Sequence, residues 1–332
     1  MSSSWTISPS APPARSTSWR CARLSRTTSS RPPERNRHMT DVSDAPAQNA
    51  GWRGKFAGFA LALSAASILW FAAAAVGTKL GFWPWQFGLG KMTIGWGPMI
   101  LMGALGVSVL AVIAALIKAP RKQALMLALG ALLISGLAMG RVAAFGAQAG
   151  QLPPLHDIQT DWSDPIQPSD ALFTQREATG ALNPIEDDPV IDPAANGRWP
   201  GMGGRRVAEV QEEAEFDTAT HKSPKETPYP MLAPLVAANT AEQGYAAALA
   251  AVESKGWTVV LAEPEEGRIE ATETSYWFGF KDDIMIRVRS EEGGVRIDVR
   301  SASRVGLSDL GANAKRVRDL LDEIEVRLAK GV

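Results

Sequence analysis

Three long apolar runs constrain this chain more than any other feature. Residues 56–77, 93–117 and 123–145 each exceed 20 residues and share one charge, Arg141. About 20 helical residues, rising about 1.5 Å each, cross a hydrocarbon core of about 30 Å. A helix at the surface of a water-soluble core would carry a polar stripe, and none of these runs has one. A membrane domain over residues 55–148 is therefore expected, with the lipid bilayer as its first partner.

The flanks of the runs give an orientation. Arg53 and Lys55 precede the first run, which ends toward Lys79 and the aromatic cluster Phe82, Trp83, Trp85 and Phe87. Such rings suit the membrane–water interface. The second and third runs are joined by a short turn bearing Lys118, Arg121 and Lys122. Positive turns stay cytoplasmic, so the N-terminus is expected inside and everything after Phe145 outside. In a bacterium this is an inner-membrane protein with a periplasmic C-terminal domain. Arg141 lies near the outer end of its run, where its guanidinium can reach the headgroups.

Residues 1–54 read as a disordered tail. The first 38 residues hold seven Arg, no Lys, ten Ser and one acid, Glu34. That composition builds no core. It fits an organellar targeting peptide, or upstream sequence ahead of a true start at Met39. The lone cysteine, Cys21, falls in this stretch, so a start at Met39 removes thiolate chemistry and cysteine-ligated zinc. The overall charge of -1 averages two unlike halves, and no basic block suits nucleic acid.

Residues 149–228 are rich in Pro, Gly and acids and read as an extended linker. Residues 229–332 read as a compact domain. Thr240 and Gln243 fit a capping box ahead of an Ala-rich helix that stops at Gly256. Strands are expected at 257–262, 268–274, 283–289 and 295–299, with a hairpin turn at 291–294. Leu310, Ala314, Val317, Leu321, Ile324 and Leu328 form an apolar stripe on a last helix. The order α-β-β-β-β-α predicts an α+β fold: a four-stranded antiparallel sheet with two helices in two layers.

Three constellations are chemical candidates. The first joins the last strand to the last helix: Arg300, Ser301, Ser303, Arg304, Asp309, Asn313 and Arg316. Guanidiniums, hydroxyls and helix-start N–H groups suit an anion such as phosphate or carboxylate. The alternative is a tight turn capped by Ser308 or Asp309. The second is Asp282 with Asp283, a candidate acid–base or cation pair. Neighbours on a strand point to opposite faces, so a bent strand whose acids pair with Arg300 or Arg304 is the plainer reading. The third is His156, Asp157 and Asp161, whose spacing matches no strong metal motif. Arg268, Glu270, Arg287, Arg289, Arg296, Asp298 and Arg300 are expected on a solvated sheet face, as charge ladders or as a surface for an anionic partner. No metal and no cofactor is expected, and no nucleophile–base pattern occurs.

Residues 268–274, 277–283, 299–306 and 308–316 together resemble a bacterial family catalogued as a domain of unknown function, number 1499. Residues 154–161 resemble the family's leading motif, with Gln159 a slight departure. The resemblance runs from His156 to Leu328 apart from an insertion at about 179–226. It implies a periplasmic or lumenal domain and supplies no activity and no catalytic residue. Two functions are carried forward. One is a membrane-anchored module that binds an envelope protein or an anionic ligand. The other is a hydrolase-like envelope enzyme using Asp282 or Asp283 with His156.

Overall fold

Each apolar run lies inside a helix longer than the run itself. In the computed structural model, which describes residues 51–215, Tyr229 and 231–331, α1 spans Trp52–Lys79. The second long apolar helix runs over Gln86–Ile117, 32 residues. It begins as a wider π-helical turn, Gln86–Trp96, and continues as α2, Gly97–Ile117. The third is α3, Lys122–Gln151. All three are long and apolar enough to cross a membrane. The expectations for residues 1–50, including Cys21 and the Met39 start, lie outside the described residues, as does His221.

Small side chains let the three helices approach closely, as lipid-embedded packing requires. Ala57, Ala60, Ala111, Ala115, Ala124, Ala128 and Ala131 form one buried cluster. At mid-height each helix contributes a buried hydroxyl. Ser64 Oγ lies 3.2 Å from Ser108 Oγ, and Ser135 Oγ lies 3.4 Å from it. Ser108 and Ser135 also donate to carbonyls one turn back, so both hydroxyls are satisfied away from water. Leu69, Ile113, Leu133 and Leu137 point outward. Arg53 donates to the Lys118 and Ala119 carbonyls. The start of α1 and the α2–α3 turn therefore share one end of the bundle, and the sheet domain follows from the other.

The sheet has six strands, not the four expected. They are β1 Asp157–Gln159, β2 Leu235–Ala237, β3 Thr258–Glu263, β4 Arg268–Thr274, β5 Lys281–Glu291 and β6 Gly294–Ser303. The order is β1-β6-β5-β4-β3, all antiparallel, with β2 also paired to β6. β1 and β2 lie along different parts of β6: Asp157 opposes Ala302, and Leu235 opposes Ile297. Each is three residues long, too short to leave an alternating pattern in the sequence.

One face of the sheet is apolar. Ile269, Ala271, Ile284, Ile286, Val288, Val295, Ile297 and Val299 are buried there, in one core with Ala247, Ala251, Val317 and Ile324. Those last four come from α6, Ala241–Ser254, and α7, Ala312–Lys330. The Thr240–Gln243 capping box is present as expected. In α7 the expected stripe is present at Ala314, Val317, Ile324 and Leu328, with Leu320 rather than Leu321 fully buried among them. Leu310 lies ahead of the helix at φ 56°.

The segment expected as an extended linker is folded. It supplies β1, α4 Asp170–Ala178 and α5 Val207–Glu215. Residues 160–190 lie over the second face of the sheet, which makes a third layer where two were expected. Ile166 and Leu172 pack there on Met285 and Ala302. Ser169 caps α4 by accepting from the Leu172 N–H at 3.2 Å. Gln211 of α5 borders β1 as a strand would, accepting from the Gln159 N–H at 3.3 Å and donating to its carbonyl at 2.8 Å.

Candidate functional site

Strand periodicity divides the candidate residues between the two faces of the sheet. Arg300, Ala302 and Arg304 face the covering segment, while Ser301 and Ser303 face α7. β5 runs regularly through Asp282 and Asp283, opposite Ser303 and Ala302, and sends their carboxylates to opposite faces. The groups expected to converge on one anion are thus held apart by the sheet.

On the covered face, Asp157 and Arg300 form a two-pronged pair, with Nε–Oδ1 3.0 Å and Nη2–Oδ2 2.6 Å. Arg300 also donates to the Ile166 and Glu186 carbonyls at 2.8 Å each, and its guanidinium carbon lies 5.2 Å from the Trp162 ring centre. Both partners are buried. Asp283 is buried between two arginines, accepting from Arg304 at 2.9 and 2.6 Å and from Arg176 at 2.5 Å. The Thr272 hydroxyl donates to the same carboxylate at 2.8 Å. Remaining Arg304 N–H groups reach Gln175 Oε1 at 2.7 Å and Thr179 Oγ1 at 2.6 Å. Burial lowers the Arg176 pKa, opposed by the adjacent Asp283 charge. Glu270 accepts from Ser169, through its N–H at 2.7 Å and its hydroxyl. Burial raises the Glu270 pKa, against those hydrogen bonds.

The face expected to be solvated is thus largely covered. Glu270, Asp298 and Arg300 are buried. Asp298 is a hub for Arg296 at 2.8 Å, Arg289 at 3.0 Å and Arg287 at 3.5 Å. Asp161 pairs with Arg296 at 2.6 Å, and Asp164 with Arg289 at 2.6 Å. These bridges fasten the covering segment to β5 and β6.

On the other face, Asn313 joins strand to helix. Its Oδ1 accepts from Ser301 Oγ at 2.8 Å, and its Nδ2 donates to Ser303 Oγ and the His156 carbonyl, each at 3.0 Å. Arg316 bridges Asp282 at 2.6 Å, Ser301 Oγ at 3.0 Å and Glu273. Asp309 accepts from the Gly311 N–H at 2.7 Å and the Asn313 N–H at 3.0 Å, capping the start of α7. Burial nonetheless raises the Asp309 pKa to about 6. His156 Nδ1 is buried without a partner, and burial lowers the imidazole pKa. No hydrogen bond joins that ring to Asp282 or Asp283 among the described residues.

Of the three constellations, the turn splits across the sheet, the two acids serve different arginines, and His156 Nδ1 has no hydrogen-bond partner while Asp157 and Asp161 pair with Arg300 and Arg296. No cluster of three or more His, Cys, Asp or Glu fit for a metal occurs among the described residues. An open cleft of about 410 Å³ lies beside the start of α7, lined by Lys255, Trp257, Glu273, Lys315, Arg316 and Asp319. Lys315 is exposed there, paired with Asp319 four residues on. Sequence reasoning missed Arg176, Gln175, Thr179 and Ser169. The readable signal was Ser169-Asp170, a helix-start pair ahead of nine residues free of Gly and Pro.

Residues 157–324 match the profile of a family described as "Protein of unknown function (DUF1499)". No curated protein and no solved structure matches the chain.

Proposed function

We propose, from the premise that the chain belongs to this DUF1499 family, that it is a membrane-anchored envelope module that binds its partner rather than transforming it. One observation carries the reading: the fold itself uses the groups that chemistry would need. Asp157, Asp282 and Asp283 each serve a guanidinium. Arg300 and Arg304 are buried with their N–H groups on protein acceptors. The hydrolase reading requires His156 against one of those acids, and it loses its support here.

The domain belongs on the periplasmic side, because Arg53, Lys118, Arg121 and Lys122 gather at the opposite end of the bundle. An alkaline phosphatase fused after the last residue is then active, and one placed in the α2–α3 turn is inactive. The reverse pattern overturns the orientation.

The anionic ligand belongs in the cleft beside α7. Exposed pairs such as Lys315–Asp319 contribute little, so the ammonium can exchange its carboxylate for a ligand, beside Arg316 and the Trp257 ring. Inorganic phosphate and diphosphate, titrated into the detergent-solubilised full chain, are expected to raise its thermal unfolding temperature. Lys315→Glu is expected to abolish that shift. No shift in the unaltered protein removes the anion reading and leaves a protein partner.

A further inference from the structure

We propose that the β4–β5 hairpin tip, residues 275–280, is a second membrane anchor that sits in the outer headgroup layer beside the end of α1. Three observations place it there. First, the tip is the most aromatic stretch of the domain and presents its rings outward, with Tyr276 76% and Trp277 60% exposed. A domain has no reason to leave neighbouring tyrosine and tryptophan rings in water, whereas both favour the boundary between lipid and water.

Second, the tip is fastened to the membrane end of α1. Lys79 Nζ donates to the Tyr276 carbonyl at 2.8 Å and lies 4.9 Å from the Tyr276 ring centre. Phe280 meets Trp85 edge to face at 6.3 Å and stacks on Phe278 at 5.4 Å. Gly279, at φ 71°, brings the loop backbone against Lys79, where a Cβ would stand 3.3 Å from Cγ. Third, the tip continues an existing belt. Phe82 is 73% exposed, and Trp83, Phe87 and Trp96 meet edge to face in sequence next to it.

The occupant of this surface is therefore phospholipid at the headgroup–acyl boundary. The domain is held at two points, the end of α3 and this hairpin, so the sheet stands at a fixed height with the β3–β4 turn pointing away from the bilayer. The inference rests on the reading of α1–α3 as membrane spans.

Single cysteines in a Cys21→Ser background test it. Tyr276→Cys, Leu69→Cys and Glu265→Cys are labelled with an environment-sensitive dye in the full chain. The proteins are reconstituted in nanodiscs of phosphatidylcholine and phosphatidylglycerol that include, in separate samples, a lipid spin-labelled near the headgroup to reach position 276 or one spin-labelled at the acyl-chain end to reach position 69. Leu69 marks the lipid face of α1, and Glu265 marks the β3–β4 turn. The expected result is blue-shifted emission at position 276, quenched to below half by the spin label, with no quenching at 265. Quenching at 69 without quenching at 276 overturns the hairpin anchor and leaves the membrane spans intact. No quenching at 69 overturns both. A label at 276 that is shielded from water yet unquenched by lipid means a protein contact, and also overturns the anchor.

Discussion

The two faces of the sheet are closed by different physics. Under α6 and α7, most of the contact is β-branched side chains against small alanines and is non-directional, with the Asn313 and Arg316 hydrogen bonds confined to the start of α7. Under the covering segment, Asp157–Arg300 and Arg176–Asp283–Arg304 do the closing, around a small apolar filler of Ile166, Leu172, Met285 and Ala302 with Ile185 and Val260 at its edge. Apolar contacts tolerate a neighbour shifting by a fraction of an ångström. A buried guanidinium does not, because each unmatched N–H costs desolvation with nothing returned. The charged face thus fixes one placement for residues 160–190, and the apolar face supplies most of the burial.

Breaking the charged face at its centre gives the largest effect. Asp283→Ala leaves Arg176 and Arg304 buried together without a counter-charge, and is expected to cost about 3–5 kcal/mol. Denaturant unfolding of the domain within the detergent-solubilised chain measures it. A loss under about 1 kcal/mol means that water reaches the two arginines and the face is not closed. On the other side, Ile286→Ala removes fully packed atoms and is expected to cost about 2–5 kcal/mol, with no change in the hydrogen exchange of α4.

Replacing Arg176, Asp283 and Arg304 together by Met, Leu and Met sharpens the comparison. Stability is expected to stay level or rise by about 1–4 kcal/mol, while α4 exchanges its amide hydrogens faster because its position is no longer specified. Slow exchange retained in α4 shows that apolar filler alone fixes the cover.

The smallest effect is a pH slope. Burial lowers the His156 pKa from 6.5, against the raising influence of Asp157. Below about pH 6.5 the unfolded chain takes up a proton that the folded ring resists, so stability falls on acidification and is flat above. His156→Gln is expected to remove that slope. Asp309, raised to about 6 by burial, acts with the opposite sign, because its protonation as pH falls through 6 favours the fold. Its removal by Asp309→Asn should therefore steepen the acid loss.

Much of the apolar architecture was legible. Runs with one charge among them gave three candidate spans, strand-like runs gave β3 and β4, alternation gave β5 and β6, and a three-and-four spacing gave α7. Leu320 takes the place expected for Leu321 because steps of three and of four from Val317 both stay on the stripe. The charged face was not legible in the same way. Arg296, Asp298 and Arg300 alternate just as a solvated face does, and nothing local distinguishes a covered ladder from a wet one. The period of two did separate Arg300 from Ser301, and applying it there would have ruled out a single anion site spanning both.

The sequence by itself determined which segments are long and apolar enough to leave water for lipid and which strand faces are apolar, because burial of carbon responds to patterns within a few residues. Only the tertiary structure decided where the charges went. Arg176 meets Asp283, and Asp157 meets Arg300, more than a hundred residues apart. An ion pair records no periodicity at either end, so its partner is chosen when the covering segment closes over the sheet.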